Sequence, residues 1–137
     1  VDSYVELLRS DIRTEKQAIL TETMQFTDEQ ASVFWPLYRE YDLELNRYAD
    51  RRLALIKDYA ANFETMTNDK ARELADRSFK LEEERVKIRR EYFEKVRRAL
   101  DPIIAAKFVQ IERTIGLLID LQISAELPLM ERGSGGN

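Results

Sequence analysis

The chain has 137 residues, with 22 Lys plus Arg against 26 Asp plus Glu for a net charge of −4, four Gly, three Pro, and neither Cys nor His. Imidazole-based hydrolysis, thiol redox chemistry, a Cys/His zinc site and a disulfide framework all require residue types that are absent. The scarcity of Gly and Pro favours long helices, and the length suits a single domain or one helical hairpin assembly.

The first predicted helix spans about residues 3–24, with Val5, Leu8, Ile12, Ile19 and Leu20 at roughly helical spacing among charged residues. It is amphipathic but polar enough to serve as a cover for one end or edge of longer helices. Phe26-Thr27-Asp28-Glu29-Gln30 then forms a capping box: the Thr27 hydroxyl can accept from the Gln30 amide while the Gln30 side chain reaches back. The second helix is predicted over 28–63. Its seam runs Ala31, Phe34, Tyr38, Tyr41, Leu45, Tyr48, Arg52, Leu55, Tyr59, with a bend expected where Pro36 interrupts the backbone hydrogen bonds.

Glu64 to Asp69 is the clear connection, with Thr67 or Asn68 as the next cap. The third helix, 68–100, has a narrower apolar stripe: Leu74, Ala75, Phe79, Val86, Tyr92, Phe93, Val96 and Leu100. Asp101 caps the fourth helix, 102–126, with Pro102 at the first helical position where its missing donor is harmless. There Ile103, Ile104, Phe108, Val109, Ile111, Ile115, Leu118, Ile119, Leu121 and Ile123 cover more than one face, so this helix needs partners on more than one side. Residues 1–129 therefore read as one all-α, four-helix domain, and 130–137 as a flexible tail.

No segment reaches the roughly 20 apolar residues of a bilayer span, since Ile115 to Ile123 is interrupted by Gly116, Asp120 and Gln122. A chain that opens on Val1 without Met reads as trimmed, any leader having been removed. The charge is uneven: residues 85–98 hold Arg85, Lys87, Arg89, Arg90, Lys95, Arg97 and Arg98 against Glu91 and Glu94. A solvated helix face accounts for such a stripe. A surface that mixes these cations with Tyr92, Phe93 and Val96 also suits transient capture of unfolded or acidic polypeptide, because charge speeds encounter and apolar contact prolongs it. Nucleic-acid binding is less favoured in a chain that is acidic overall.

The aromatic series in the second helix reads as core, while Trp35 and Leu37 lie off the seam and are candidates for a second surface. The consecutive Glu82, Glu83 and Glu84 point in different directions and cannot converge on one cation. A di-iron bundle would need Glu-x-x-His pairs, and no Gly-rich phosphate loop is present. No catalytic residue, metal or cofactor is therefore expected, and the chain is read as a non-enzyme.

Phe26-Thr27-Asp28-Glu29-Gln30 resembles the Leu-Thr-x-x-Gln motif of the Spy/CpxP family of bacterial periplasmic stress chaperones, with Phe in place of Leu. Leu100-Asp101-Pro102-Ile103-Ile104 stands where the family carries its second copy, without the Thr and Gln. The resemblance extends over Thr21 to Leu129 and implies a long bent helical hairpin and an antiparallel, cradle-shaped homodimer. It further implies a periplasmic location and ATP-independent holding of unfolded polypeptides, or else an adaptor that binds one sensor protein of an envelope-stress system. Metal-responsive relatives use His or Cys ligands, which this chain lacks. Arg85, Arg89, Arg90, Tyr92, Phe93 and Val96 are the candidate polypeptide contacts, and Ile115, Leu118 and Ile119 the candidates for a dimer or client surface.

Overall fold

A computed structural model describes residues 14–133, which form four α-helices and no strand. The described part of α1 covers residues 14–24, followed by α2 (Asp28–Asn62), a single 3-10 turn (Phe63–Thr65), α3 (Asn68–Ala99) and α4 (Pro102–Glu126). The predicted start of the first helix, residues 3–13, lies outside the described residues. The other boundaries fall within a residue of the expectation because the caps are strong. The Thr27 side chain accepts from the Gln30 amide at 3.2 Å while the Gln30 side chain accepts from the Thr27 amide at 3.0 Å. Thr67 accepts from Lys70, and Asp101 from Ile104 at 2.8 Å with Pro102 opening the helix. Each such cap contributes about 1 kcal/mol by satisfying an otherwise orphaned amide. Gln25 turns the chain out of α1 with φ at 50°, the left-handed conformation that terminates many helices. The helical assignment of α2 continues unbroken through Pro36.

α2 and α3 pair as an antiparallel hairpin, and α4 folds back along α3, so that α2 and α4 run the same way. The ion pairs trace this order: Glu40 with Lys95, Arg51 with Glu84 and Asp58 with Arg77 across the hairpin, then Arg85 with Asp120 between α3 and α4. The core lies where α2 and α4 begin and α1 and α3 end, formed by Leu20, Met24, Phe34, Tyr38, Tyr41, Ile88, Tyr92, Val96, Ala105 and Phe108. Phe34 and Tyr41 meet the Phe108 ring edge-to-face at 5.2 and 5.3 Å, and Tyr41 meets Tyr92 at 5.5 Å. Burying one such side chain stabilises by about 1.5 to 3 kcal/mol, against about 0.2 to 0.5 for a helical charge pair, so the rings set the helix spacing. Their bulk holds α4 away from α2, and no α4 Cα comes within 8 Å of an α2 Cα.

One expectation is corrected at the C-terminal end, where residues 130–133 are not a free tail. The Tyr59 hydroxyl donates to the Pro128 carbonyl at 2.5 Å, and the Gly133 amide donates to the Met66 carbonyl at 3.1 Å. Gly133 is buried against the α2–α3 connection, where a Cβ would stand 2.6 Å from the Met66 nitrogen. Only a residue without a side chain makes that approach, so composition that reads as a flexible end here supplies a close backbone contact.

Candidate polypeptide groove

Beyond the aromatic wedge, among the described residues, Leu45, Leu53 and Ile56 of α2 stand on one side of an opening and Ile115, Ile119 and Ile123 of α4 on the other. The result is an apolar groove of about 170 Å³ with Arg85 and Arg89 of α3 at its base. Its walls follow from helical spacing: 45, 49, 53 and 56 share one side of α2, as 115, 119 and 123 share one side of α4.

The inner end of the groove is closed by a buried ionic cluster. Lys16 Nζ lies 3.0 Å from Glu112 Oε2, with side chains only 6% and 3% exposed. The Tyr41 hydroxyl donates to the same oxygen at 3.0 Å. Lys16 Nζ also stands 5.7 and 5.6 Å from the ring centroids of Tyr38 and Tyr41, a cation–π arrangement. Burial pushes the Tyr41 phenol well above its ordinary range, and the adjacent Glu112 charge adds to this, so the hydroxyl remains a donor. Glu112 Oε1 and Arg89 Nε are buried polar atoms with no hydrogen-bond partner among the described residues.

Further along, Asp120 is held by two arginines from different helices. Arg85 donates to both its oxygens at 2.8 Å and Arg52 to Oδ1 at 2.8 Å. Partial burial works to raise the Asp120 carboxyl, but the hydrogen bonds from Arg85 and Arg52 outweigh it and hold the carboxyl below its ordinary range. The Arg85 guanidinium, raised in turn mainly by its hydrogen bonds to Asp120, also lies 5.5 Å from the Tyr48 ring centroid.

The sequence-derived contacts divide into separate groups. Arg85 and Arg89 reach the groove base, and Ile115 and Ile119 line its α4 wall. Tyr92 and Val96 do not face outward: both are buried in the aromatic core, where their apolar area is worth more than in solvent, so they support the fold and leave the list of available contacts. Phe93 is half-buried at the core edge, Arg90 is exposed, and Leu118 is exposed on the outer rim of α4. The basic stripe is partly neutralised, since Lys95 pairs with Glu91 at 3.4 Å, Arg97 with Glu94 at 2.8 Å and Arg85 with Asp120. Trp35 and Leu37, candidates for a second surface, pack half-buried against the core, Trp35 edge-on to Phe34 and Tyr38.

Reading the stripes for hydrophobicity passed over Lys16 and Glu112, and it placed Arg52 in the α2 seam and Asp120 in the α4 run without pairing them. The usable signal was a charge set inside an apolar stripe: Lys16 between Ile12 and Leu20, Glu112 between Phe108 and Ile115. Outside the groove, Leu117, Leu118 and Leu121 leave an apolar ridge on α4 that is 59%, 60% and 67% exposed. Among the described residues no His/Cys/Asp/Glu cluster has metal-binding geometry and no helix is long and apolar enough to cross a membrane. Comparison with protein-family models, with curated proteins and with solved structures finds no match.

Proposed function

We propose that this chain is a non-enzymatic, ATP-independent holder of unfolded polypeptide, similar in action to the Spy/CpxP periplasmic chaperones. The observation that carries the reading is the apolar surface of α4, which continues from the groove walls onto the open Leu117–Leu118–Leu121 ridge. Apolar residues exposed contiguously at this level mark an interaction surface, because a solvated helix has no need of them. The occupant that fits is an extended or partly helical segment with apolar side chains and an acidic flank: Arg89 supplies a cation at the groove base, where Arg85 is already paired with Asp120, and Arg90 and Lys87 lie exposed on α3. On this reading the protein acts in the periplasm, and the outward ridge of α4 also forms the contact between two copies in a homodimer.

The test is light scattering from an unrelated, chemically unfolded substrate diluted into buffer without nucleotide. Equimolar protein should suppress aggregation, and Leu118→Glu together with Leu121→Glu should weaken the suppression while the helical circular dichroism is unchanged. A wild-type protein that leaves aggregation untouched at several-fold excess would end this reading.

A further inference from the structure

The side of α3 turned away from α2 carries a pattern that the groove does not use. Arg77, Glu84 and Lys95 meet α2 through ion pairs. On the opposite side, Phe79, Glu83, Val86, Arg90 and Phe93 fall within an arc of about 80° when counted at about 100° per residue. Their spacing alternates four and three, the rhythm of a coiled-coil seam. Phe79, Glu83, Val86 and Arg90 are exposed, and Phe93 is half-buried.

The residue types in this seam read alike from either end, with the charges exchanged. Phe79 and Phe93 stand seven positions to either side of Val86, and Glu83 and Arg90 stand three and four positions away. When a second copy of α3 lies against the seam in the opposite direction, Val86 meets Val86, Phe79 meets Phe93 and Glu83 meets Arg90, the last two contacts occurring twice by symmetry. A copy laid parallel would set Glu83 against Glu83 and Arg90 against Arg90, like charges at both polar positions. The charge order therefore favours the antiparallel pairing.

α4 places its ridge on the same axis. The ion pair of Arg85 with Asp120 brings Val86 level with the stretch from Leu117 to Leu121. In an antiparallel helix pair the residue after each contact turns to the same side, so Val86 after Arg85 and Leu121 after Asp120 share one outward face, with Leu117 one turn away on it. The rotation that sets α3 against α3 thus also sets Leu117 against Leu121 of the other copy.

We propose that two copies of this chain associate through this α3–α4 face, the two α3 helices antiparallel about a two-fold axis at Val86. This deepens the homodimer part of the reading above, giving it a face and an orientation, and it does not depend on client holding. Arg90 and Phe93 then serve the contact between copies, whereas Lys87 and Leu118 lie at its rim.

Sedimentation equilibrium of the full chain at low salt tests the pairing. The wild type should be a dimer at micromolar concentration. Glu83→Arg and Arg90→Glu each create two like-charge pairs in the contact, and each should raise the dimer dissociation constant about tenfold with helical circular dichroism unchanged. The double variant Glu83→Arg/Arg90→Glu restores both attractions and should dimerise like the wild type. An equimolar mixture of the two single variants should likewise form mixed dimers more readily than either variant pairs with itself. Single variants that associate as the wild type does, or a mixture that associates no better than its components, overturn the antiparallel seam. Association lost on Leu117→Glu with Leu121→Glu but indifferent to charge exchange keeps the α4 ridge as a contact and removes α3 from it. A monomeric wild type overturns the dimer itself and leaves the holding of client to its own light-scattering test.

Discussion

Glu112 sits on the core side of α4 one turn after Phe108, a position where an apolar residue would ordinarily be found. Its carboxylate is held by Lys16 and Tyr41 on one oxygen, and the other oxygen is buried without a partner among the described residues. A buried pair of this kind adds little net stability, because desolvating both charges cancels most of their attraction, but removing one partner strands the other. Glu112→Ala should therefore destabilise the protein by about 3 to 5 kcal/mol in urea titration. Lys16→Met combined with Glu112→Leu should recover most of that loss. If the double variant is as unstable as the single one, the charge pair contributes more than specificity of packing. The pair joins the described part of α1 to α4 and fixes the level of position 16 beside Glu112.

At the scale of the element, α4 is the helix whose two halves have different surroundings. Its first half is packed by Ala105 and Phe108, and its second half is held to α2 and α3 through Asp120 and the contacts of the segment after Glu126. The Asp120 carboxyl has a folded-state pKa below its unfolded value. Its contribution to stability is therefore complete above about pH 4 and is lost as pH falls through the depressed folded value. Two further carboxylates share the sign: Asp58, lowered by hydrogen bonds from Lys70 and Arg77, and Glu94, lowered by Arg97. The melting temperature should thus be flat near neutrality and decline below about pH 4, and Asp120→Asn should lower it at pH 7 while making the acid decline shallower. Amide exchange over residues 115–126 locates the effect, and protection unchanged in that stretch would remove Asp120 as the fastening of α4.

For the molecule as a whole, the open question of the sequence was what covers the excess apolar surface of the fourth helix. The fold divides that surface into three parts: one against α3, one facing the groove and one left open as the Leu117–Leu118–Leu121 ridge. Val86 and Phe79 on α3 are exposed as well, and Val86 stands close to the level at which Arg85 meets Asp120. If two copies share this face, sedimentation should give a dimer at micromolar concentration, and Leu117→Glu with Leu121→Glu should give a monomer of unchanged helicity. A wild-type monomer at that concentration would assign the ridge to clients alone.

Local chemistry made much of the fold legible. Thr27 with Gln30, Thr67, and Asp101 with Pro102 each solve the problem of orphaned helix amides with neighbouring residues, so the described boundaries and the all-α class follow from the chain itself. The seam of Phe34, Tyr38, Tyr41 and Tyr48 was equally readable, because period and side-chain size are local properties. The site was only partly readable. Arg85, Arg89, Ile115 and Ile119 do meet in one groove, yet Tyr92 and Val96 beside them in the chain are core, since a narrow stripe does not reveal which of its two edges another helix will cover. Helix class, caps and the aromatic seam were thus determined by the sequence alone, through interactions spanning three or four residues. The Lys16–Glu112–Tyr41 cluster, the double clamp on Asp120, the seat of Gly133 and the groove itself were decided by tertiary structure. Each joins residues far apart in the chain, and the groove lies between α2 and α4, whose separation no local pattern encodes.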